Sequence, residues 1–441
     1  MIKKIVLTFS LLFFIGMAAF SQQAAAKDSE LILKVAVMGA GDEVYFWFGH
    51  IGLIIENSAT GQSRFYDWGL FSFDNENFYL NFAMGRLLYS CGVSQTESNL
   101  NVYRKNKRSI FIYTLDVPQE TILKVKEFAD FNVLPKNRDY YYHHFRDNCS
   151  TRIRDIIDIA ANGQFSAQFK NEKSRFTLRD HVRRHTWFSP AIDWFLNFLM
   201  GQVIDVPITV WDDMFLPAEV GKRIEDFYYT DINGVRRKLV SSVETAAVFD
   251  HPAVLDTPGK QWPYQLIFSI FLSLVFCFFF FLQSKKILAG KILAGFSISV
   301  CGLVFGLSGL ILYFLSLFTN HDYTFQNANM IFCTPLLLVT LPLGIGCIVT
   351  KNHFKYLKYN LLIRIIWLLC VLGIFLSMLI KLLPGFYQDN LTDQLLMLPI
   401  AITFAFQPAG LNEIIDKFFP QLKQNAQLKQ CAAKRNKRTR Q

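Results

Sequence analysis

Between residues 264 and 410 the chain is dominated by long runs of Leu, Ile, Phe and Val. Five apolar segments can be drawn there, at about 264–283, 292–318, 330–350, 361–380 and 391–410. Each is near the roughly 20 residues that a helix needs to cross a hydrocarbon core. The pattern predicts an all-α transmembrane domain of about five helices over 263–410, and everything else in the chain has to be compatible with that base. The formal net charge of +10 fits such a base without invoking nucleic acid. Lys285, Lys286 and Lys291 follow the first segment, Lys351, Lys355 and Lys358 follow the third, and Lys434, Arg435, Lys437, Arg438 and Arg440 sit in a basic tail over 411–441. If the first span runs from outside to inside, all of these fall on the cytoplasmic side, as the positive-inside bias requires. Arg364 lies near the cytoplasmic end of the fourth segment, where snorkelling accounts for it.

The N-terminus carries Lys3-Lys4, an apolar run from Ile5 to Phe20, and then small residues. This is the pattern of a secretory signal peptide over 1–21, with cleavage after Ala19-Phe20-Ser21 or as late as Ala24-Ala25-Ala26. Residues 27–262 then form an exported globular head. Of the eight cysteines, Cys277, Cys301, Cys333, Cys347 and Cys370 lie in apolar segments and Cys431 in the tail, which leaves Cys91 and Cys149 to the head. That excludes a disulfide framework, no Cys/His spacing reads as a zinc site, and nothing calls for a cofactor. A Cys91–Cys149 disulfide remains open in an oxidising compartment and would silence either sulfur.

Cys149 has the surroundings of a nucleophile. In Asp147-Asn148-Cys149-Ser150-Thr151-Arg152, Asn148 and Asp147 are good N-cap residues, and Ile153, Ile156 and Ile157 follow at helical spacing. A cysteine in the first turn of a helix feels free N–H groups and the positive end of the dipole, which lower a thiol from about 8.5 toward ~3.5–7.5. The alternative is an inert cysteine packing a helix start.

Upstream, Leu31 to Val37 reads as a strand, Trp47 to Glu56 as a second with His50 near its start, and Ser63 to Gly69 as a third across the turn 57–62. Antiparallel pairing of the last two would bring His50 and Asp67 into one patch, the way a carboxylate orients a general base. Asp67 could equally cap the turn before Trp68-Gly69, and His143 and His144 are alternative bases by adjacency to Cys149. Phe71 to Gly85 is aromatic-rich and reads as loop then helix. It could line an apolar groove for an acyl chain or simply pack a core. Ser109 to Leu115 is a strand and Gln119 to Phe131 a helix. Thr177 to His185 is a helix, and Trp187 to Met200 an apolar segment too short to span, suited to lying buried or at the interface. Trp211 to Pro217 reads as an ordered loop and Asn233-Gly234 as a hairpin turn.

Phe48-Gly49-His50, Phe65-Tyr66-Asp67-Trp68-Gly69, Asp147-Asn148-Cys149-Ser150-Thr151-Arg152 and Met214-Phe215-Leu216-Pro217, in this order, resemble the Lnb family of bacterial lipoprotein N-acyltransferases. The loop Asn320 to Asn329 within the multispan region looks similar too. The resemblance implies an α+β chain: a circularly permuted papain-like (NlpC/P60-type) periplasmic domain on a helical inner-membrane base, with its C-terminus in the cytoplasm. It makes Cys149 the nucleophile, His50 the base and Asp67 the orienting residue. It also points to Asn148, Tyr66, His321, Asn327 and Asn329 as contacts for substrate, although helix-end hydrogen bonding would account for the loop residues as well. The implied reaction moves an acyl chain from a membrane phospholipid through a Cys149 thioester to the N-terminal amine of a diacylglyceryl-cysteine lipoprotein. The alternatives are a cysteine endopeptidase or amidase acting on peptidoglycan peptides, and a non-catalytic envelope sensor or scaffold.

Overall fold

The computed structural model describes residues 30–73, 77–408 and 411–418. The expected signal peptide, Asp74 to Glu76, and the basic tail beyond 418 with Cys431 lie outside the described residues. In chain order the elements are β1 (Leu31–Met38), β2 (His50–Asn57), β3 (Ser63–Leu70), α1 (Phe78–Ala83), β4 (Leu88–Gln95), α2 (Thr96–Lys105), β5 (Ile110–Leu115), α3 (Gln119–Asn132), β6 (Asp139–Tyr141), α4 (Cys149–Ala160), α5 (Gln164–Phe169), α6 (Leu178–Thr186), α7 (Pro190–Leu199), α8 (Val210–Asp213), α9 (Pro217–Glu225), β7 (Tyr228–Thr230), β8 (Arg236–Lys238) and β9 (Val240–Ala247). The remaining helices are α10 (Trp262–Ser284), α11 (Leu288–Phe318), α12 (Thr340–Val349), α13 (His353–Ile380), α14 (Leu391–Ala405) and α15 (Leu411–Phe418).

The chain divides into two compact units. One comprises residues up to Phe82, Arg86–Phe176 and Pro207–Ala253, and the other Ala83–Gly85, Thr177–Val206 and the chain from Val254 onward. The first unit is built on a seven-stranded antiparallel sheet in the order β6-β4-β3-β2-β1-β5-β9. The central strands are apolar on both faces because both are covered. On one face Val35, Ile51, Leu53, Tyr66 and Trp68 pack against Ile122 and Val125 of α3, Ile153 and Ile156 of α4, and Val220 and Ile224 of α9. On the other, Ala36, Met38, Ile54, Phe65 and Ile112 meet Leu100 and Tyr103 of α2. The Asn233-Gly234 signal holds: β7 and β8 pair around it, with Gly234 at φ +79°. Trp211 to Pro217, read as a loop, is instead the short helix α8 running into α9, since Thr209 and Asp212 form a capping box and Pro217 occupies the first turn of α9.

The second unit takes in α6 and α7, within Thr177–Val206, a stretch inside the 27–262 head expected from sequence. Phe198 of α7 packs in one core with Phe276, Ile298, Phe305, Trp367 and Phe404 of the apolar helices. Among the described residues, α10, α11 and α13 are the three helices suited by length and composition to crossing a membrane. The two other expected spans are shorter. The 330–350 stretch is the turn Pro335–Val339 running into α12, and 391–410 is the fifteen-residue α14, with Pro399 inside it. The first residues of the 330–350 stretch are drawn into a polar loop, where the Cys333 N–H donates to the Asn329 carbonyl and Asn329 is itself pinned by side chains. Close packing on α11 relies on Gly302, Gly306 and Gly309, where a Cβ would meet Thr340, Leu338 and Cys333 well inside contact distance. Arg364 does not snorkel: it is buried, with its guanidinium donating to Asn360 and to the Ala405 and Gln407 carbonyls at the end of α14.

Candidate active site

Local sequence sets the start of α4. Asn148 caps it, accepting from the Thr151 N–H at 2.9 Å while the Thr151 hydroxyl oxygen accepts from the Asn148 N–H at 2.9 Å. The Met214-Phe215-Leu216-Pro217 stretch locks that cap from across the unit. The Phe215 carbonyl accepts from Asn148 Nδ2 at 3.0 Å, and the Met214 carbonyl from the Ser150 hydroxyl at 2.9 Å. Cys149 is therefore held as the first helical residue, buried, in the cluster that includes Trp68 and Cys91. Cys91 and Cys149 are not joined. Burial and the Asp67 charge push the Cys91 thiol up to about 12, which leaves it a poor nucleophile.

His50 opens β2 directly after Gly49, where a φ of +80° and the 2.8 Å that a Cβ would have to the Met38 carbonyl oxygen exclude a side chain. β2 and β3 pair with Gly52 opposite Asp67, so His50 and Asp67 share a face, two residues apart in register. His50 Nε2 lies 2.6 Å from Asp67 Oδ1. With Nε2 taken by the carboxylate, Nδ1 is the ring nitrogen left for the sulfur of Cys149, which interacts with the same imidazole. Burial alone would lower the His50 imidazole. The Asp67 carboxylate and the Cys149 side chain outweigh it and raise the ring to about 10.

The three residues read as catalytic from sequence are thus brought together, and the proposed contacts are not. Asn148 spends its amide on the cap and on the His144 and Phe215 carbonyls. Tyr66 points into the opposite face of the sheet from Asp67, fully buried, and donates to Asp130 at 2.6 Å. His321, Asn327 and Asn329 belong to the second unit and are buried there. Asn327 Nδ2 donates to the Phe198 and Leu199 carbonyls, Asn329 Nδ2 to the Phe198 carbonyl and Asp393, and His321 Nδ1 pairs with the Tyr323 hydroxyl at 2.8 Å. These are ties between backbone segments. His143, an alternative base, accepts from the Phe145 and Arg146 N–H groups through Nδ1 and stabilises the turn before α4.

Sequence reasoning missed four neighbours. Tyr103 stacks on His50 with ring centroids 5.8 Å apart, and its hydroxyl donates to Asp67 at 3.4 Å. Arg108, fully buried, stacks over the Phe46 and Tyr103 rings and donates from Nε to the Gly39 carbonyl. No carboxylate pairs with it among the described residues, so its charge is matched only through the field of the site. Gly69, at φ +91° in a β-bulge of β3, faces Cys149: a Cβ there would lie 3.7 Å from Cys149 Cβ, 3.7 Å from Tyr142 Cε2 and 3.9 Å from the Tyr140 hydroxyl. That hydroxyl has no partner among the described residues. The arrangement can accept an acyl group on sulfur, shuttle a proton through imidazole and offer the Tyr140 O–H across the space before Gly69 that Cys149 also faces.

An antiparallel head that sets a helix-start cysteine against a histidine–carboxylate pair, in one chain with apolar helices long enough to span a bilayer, defines a membrane protein with a thiol–imidazole site. Comparison with known families narrows the class. The family model of the Lnb N-terminal periplasmic domain matches residues 19–184, and that of the Lnb transmembrane domain matches residues 260–384, more than half of the chain together. The chain belongs to the Lnb family, membrane proteins connected with lipoprotein maturation. The same comparison with curated proteins and with solved structures returned no match.

Proposed function

We propose that the protein is a lipoprotein N-acyltransferase that carries an acyl chain on Cys149. The observation that carries this reading is the His50 imidazole held between Asp67 and the cysteine that starts α4. His50 takes the thiol proton and the sulfur adds to an ester carbonyl of a phospholipid. The tetrahedral oxyanion collapses with loss of the glycerol alkoxide, which receives the proton back from His50 and leaves as a lysophospholipid. The α-amine of a diacylglyceryl-cysteine lipoprotein then adds to the thioester. Sulfur leaves, the amine proton returns to it by way of His50, and conversion of thioester to amide drives the step. Asp67 keeps the imidazole oriented and stabilises its charged form. The α4 N–H groups and the Tyr140 hydroxyl serve the oxyanion. A strand histidine preceding a helix-start cysteine fits the permuted papain-like plan, and a head tied to five crossings with its tail in the cytoplasm keeps both lipid substrates at high effective concentration.

The test is mass spectrometry of lipoprotein N-terminal peptides from cells lacking the protein, complemented with the wild type or with Cys149→Ser. The N-acyl group disappears on deletion, returns with the wild type and does not return with the serine variant. An unchanged acylation pattern on deletion overturns the reading, and rescue by the serine variant would favour a scaffold.

A further inference from the structure

Beside the site lies a cavity of about 470 Å³, within the range of about 300–1,000 Å³ typical of small-molecule sites. Its floor is a run of packed rings: Phe71 stacks on Tyr89 at 5.1 Å and on Phe78 at 5.9 Å, and Phe78 stacks on Phe82 at 6.0 Å. The rim is charged, with Arg86, Arg138 and Asp139. Arg138 is 3.7 Å from Asp139 and largely offsets it, whereas no carboxylate among the described residues pairs with Arg86. Among the described residues the rim therefore carries one positive charge without a carboxylate partner, over an aromatic floor. Next to the mouth, α1 turns Tyr79 and Leu80 outward at 73% and 62% exposure, and Leu88 of β4 is exposed as well. Such an apolar lip suits a surface that meets lipid.

The cavity shares a wall with the nucleophile. Leu70, which lines it, follows Gly69, the residue that faces Cys149. Tyr89 of the floor stacks at 4.4 Å on Tyr142, whose ring edge bounds the same space before Cys149.

We infer that this cavity is the donor subsite, holding a phosphate-bearing acyl lipid with its phosphate at Arg86 and its chain along Phe71, Phe78 and Tyr89. The assignment rests on the acyl-transfer reading and adds which of the two lipids binds here. A phospholipid donor carries a phosphodiester that the Arg86 guanidinium attracts. The diacylglyceryl end of a lipoprotein acceptor has no phosphate, and its protonated amine is repelled.

The experiment uses the full-length protein in detergent micelles, supplied with phosphatidylethanolamine or with diacylglycerol of the same chains. Transfer to Cys149 is read by intact mass. Arg86→Gln lowers transfer from phosphatidylethanolamine about tenfold and leaves transfer from diacylglycerol unchanged, while Phe78→Ala lowers both. Equal loss from both donors, or no loss from either, overturns the phosphate assignment. A second arm measures binding of dihexanoyl-phosphatidylcholine to Cys149→Ser protein, where no chemistry intervenes. Binding that depends on Arg86 and Phe78 when no variant transfers a chain keeps the subsite and discards acyl transfer. Transfer in the wild type with binding indifferent to both residues does the reverse. Glycerol phosphate, which has the anion without a chain, displaces the probe weakly. Displacement as strong as by the lipid itself would make this a free-phosphate site and overturn the lipid assignment.

Discussion

The chemistry at residue scale turns on how tightly His50 holds its proton. Its folded value, raised to about 10 from 6.5, lies above that of the unfolded chain. The stabilisation is therefore complete below about pH 6.5 and lost as pH rises through about 10. Compared with Asp67→Asn in thermal melts from about pH 6 to about pH 10, the wild type has its largest advantage at the acidic end, and that advantage shrinks with rising pH. An advantage that grows with pH contradicts the ion-pair account. Asp67→Asn also slows acylation of Cys149 on the order of a hundredfold or more, since the imidazole loses both its orientation and its counter-charge. Tyr140→Phe removes only a hydroxyl that has no partner among the described residues. It lowers the acylation rate on the order of a hundredfold with no change in melting temperature, whereas a purely structural tyrosine would show the opposite pattern.

At the scale of elements, α4 was legible because its signals are local: an asparagine cap, a threonine three residues on, and isoleucines at helical spacing. The strand pair holding His50 and Asp67 was legible for a similar reason, through apolar runs on either side of a short turn. Tyr66 lies on the opposite face of β3 from Asp67, because neighbouring residues on a strand point opposite ways, and its hydroxyl is held by Asp130. β4 and α2 were not anticipated, and with them went Tyr103 and Arg108, whose roles arise from contacts with His50 and Phe46 far away in sequence. The loop asparagines Asn327 and Asn329 are buried and spend their amides on the Phe198 and Leu199 carbonyls and on Asp393, partners distant in sequence that no local motif announces. Two substitutions check these elements. Asn148→Ala strands the Thr151 N–H and two carbonyls and costs about 1–2 kcal/mol, read as a lower melting temperature together with slower alkylation of Cys149. Gly52→Val forces a Cβ to 2.2 Å from Phe65 Cζ and destabilises by about 1–3 kcal/mol, with the thiol of Cys91 becoming accessible to alkylating reagents.

For the whole molecule, the apolar runs predicted a membrane base from composition alone, and three long helices carry that prediction. What composition missed is that apolar sequence also builds the shorter α12 and α14. Asn329 and its partners consume the start of one stretch in a bonded loop, and Arg364 closes the end of the other. Neither effect has a hydropathy signature. Five crossings remain our proposal, and they put the basic tail on the side opposite the head. Tags at residue 441 and within the head, probed by membrane-impermeant reagents in intact and opened cells, are labelled on opposite sides, and labelling on the same side refutes an odd number of crossings. The central claim, an acyl chain carried on a cysteine that His50 activates, is reached most directly by intact mass of the purified protein after incubation with phospholipid. The account predicts one added acyl chain on the peptide containing Cys149, discharged by a lipoprotein N-terminal peptide and absent in His50→Gln. N-acylated product formed with no chain ever found on Cys149 would contradict it.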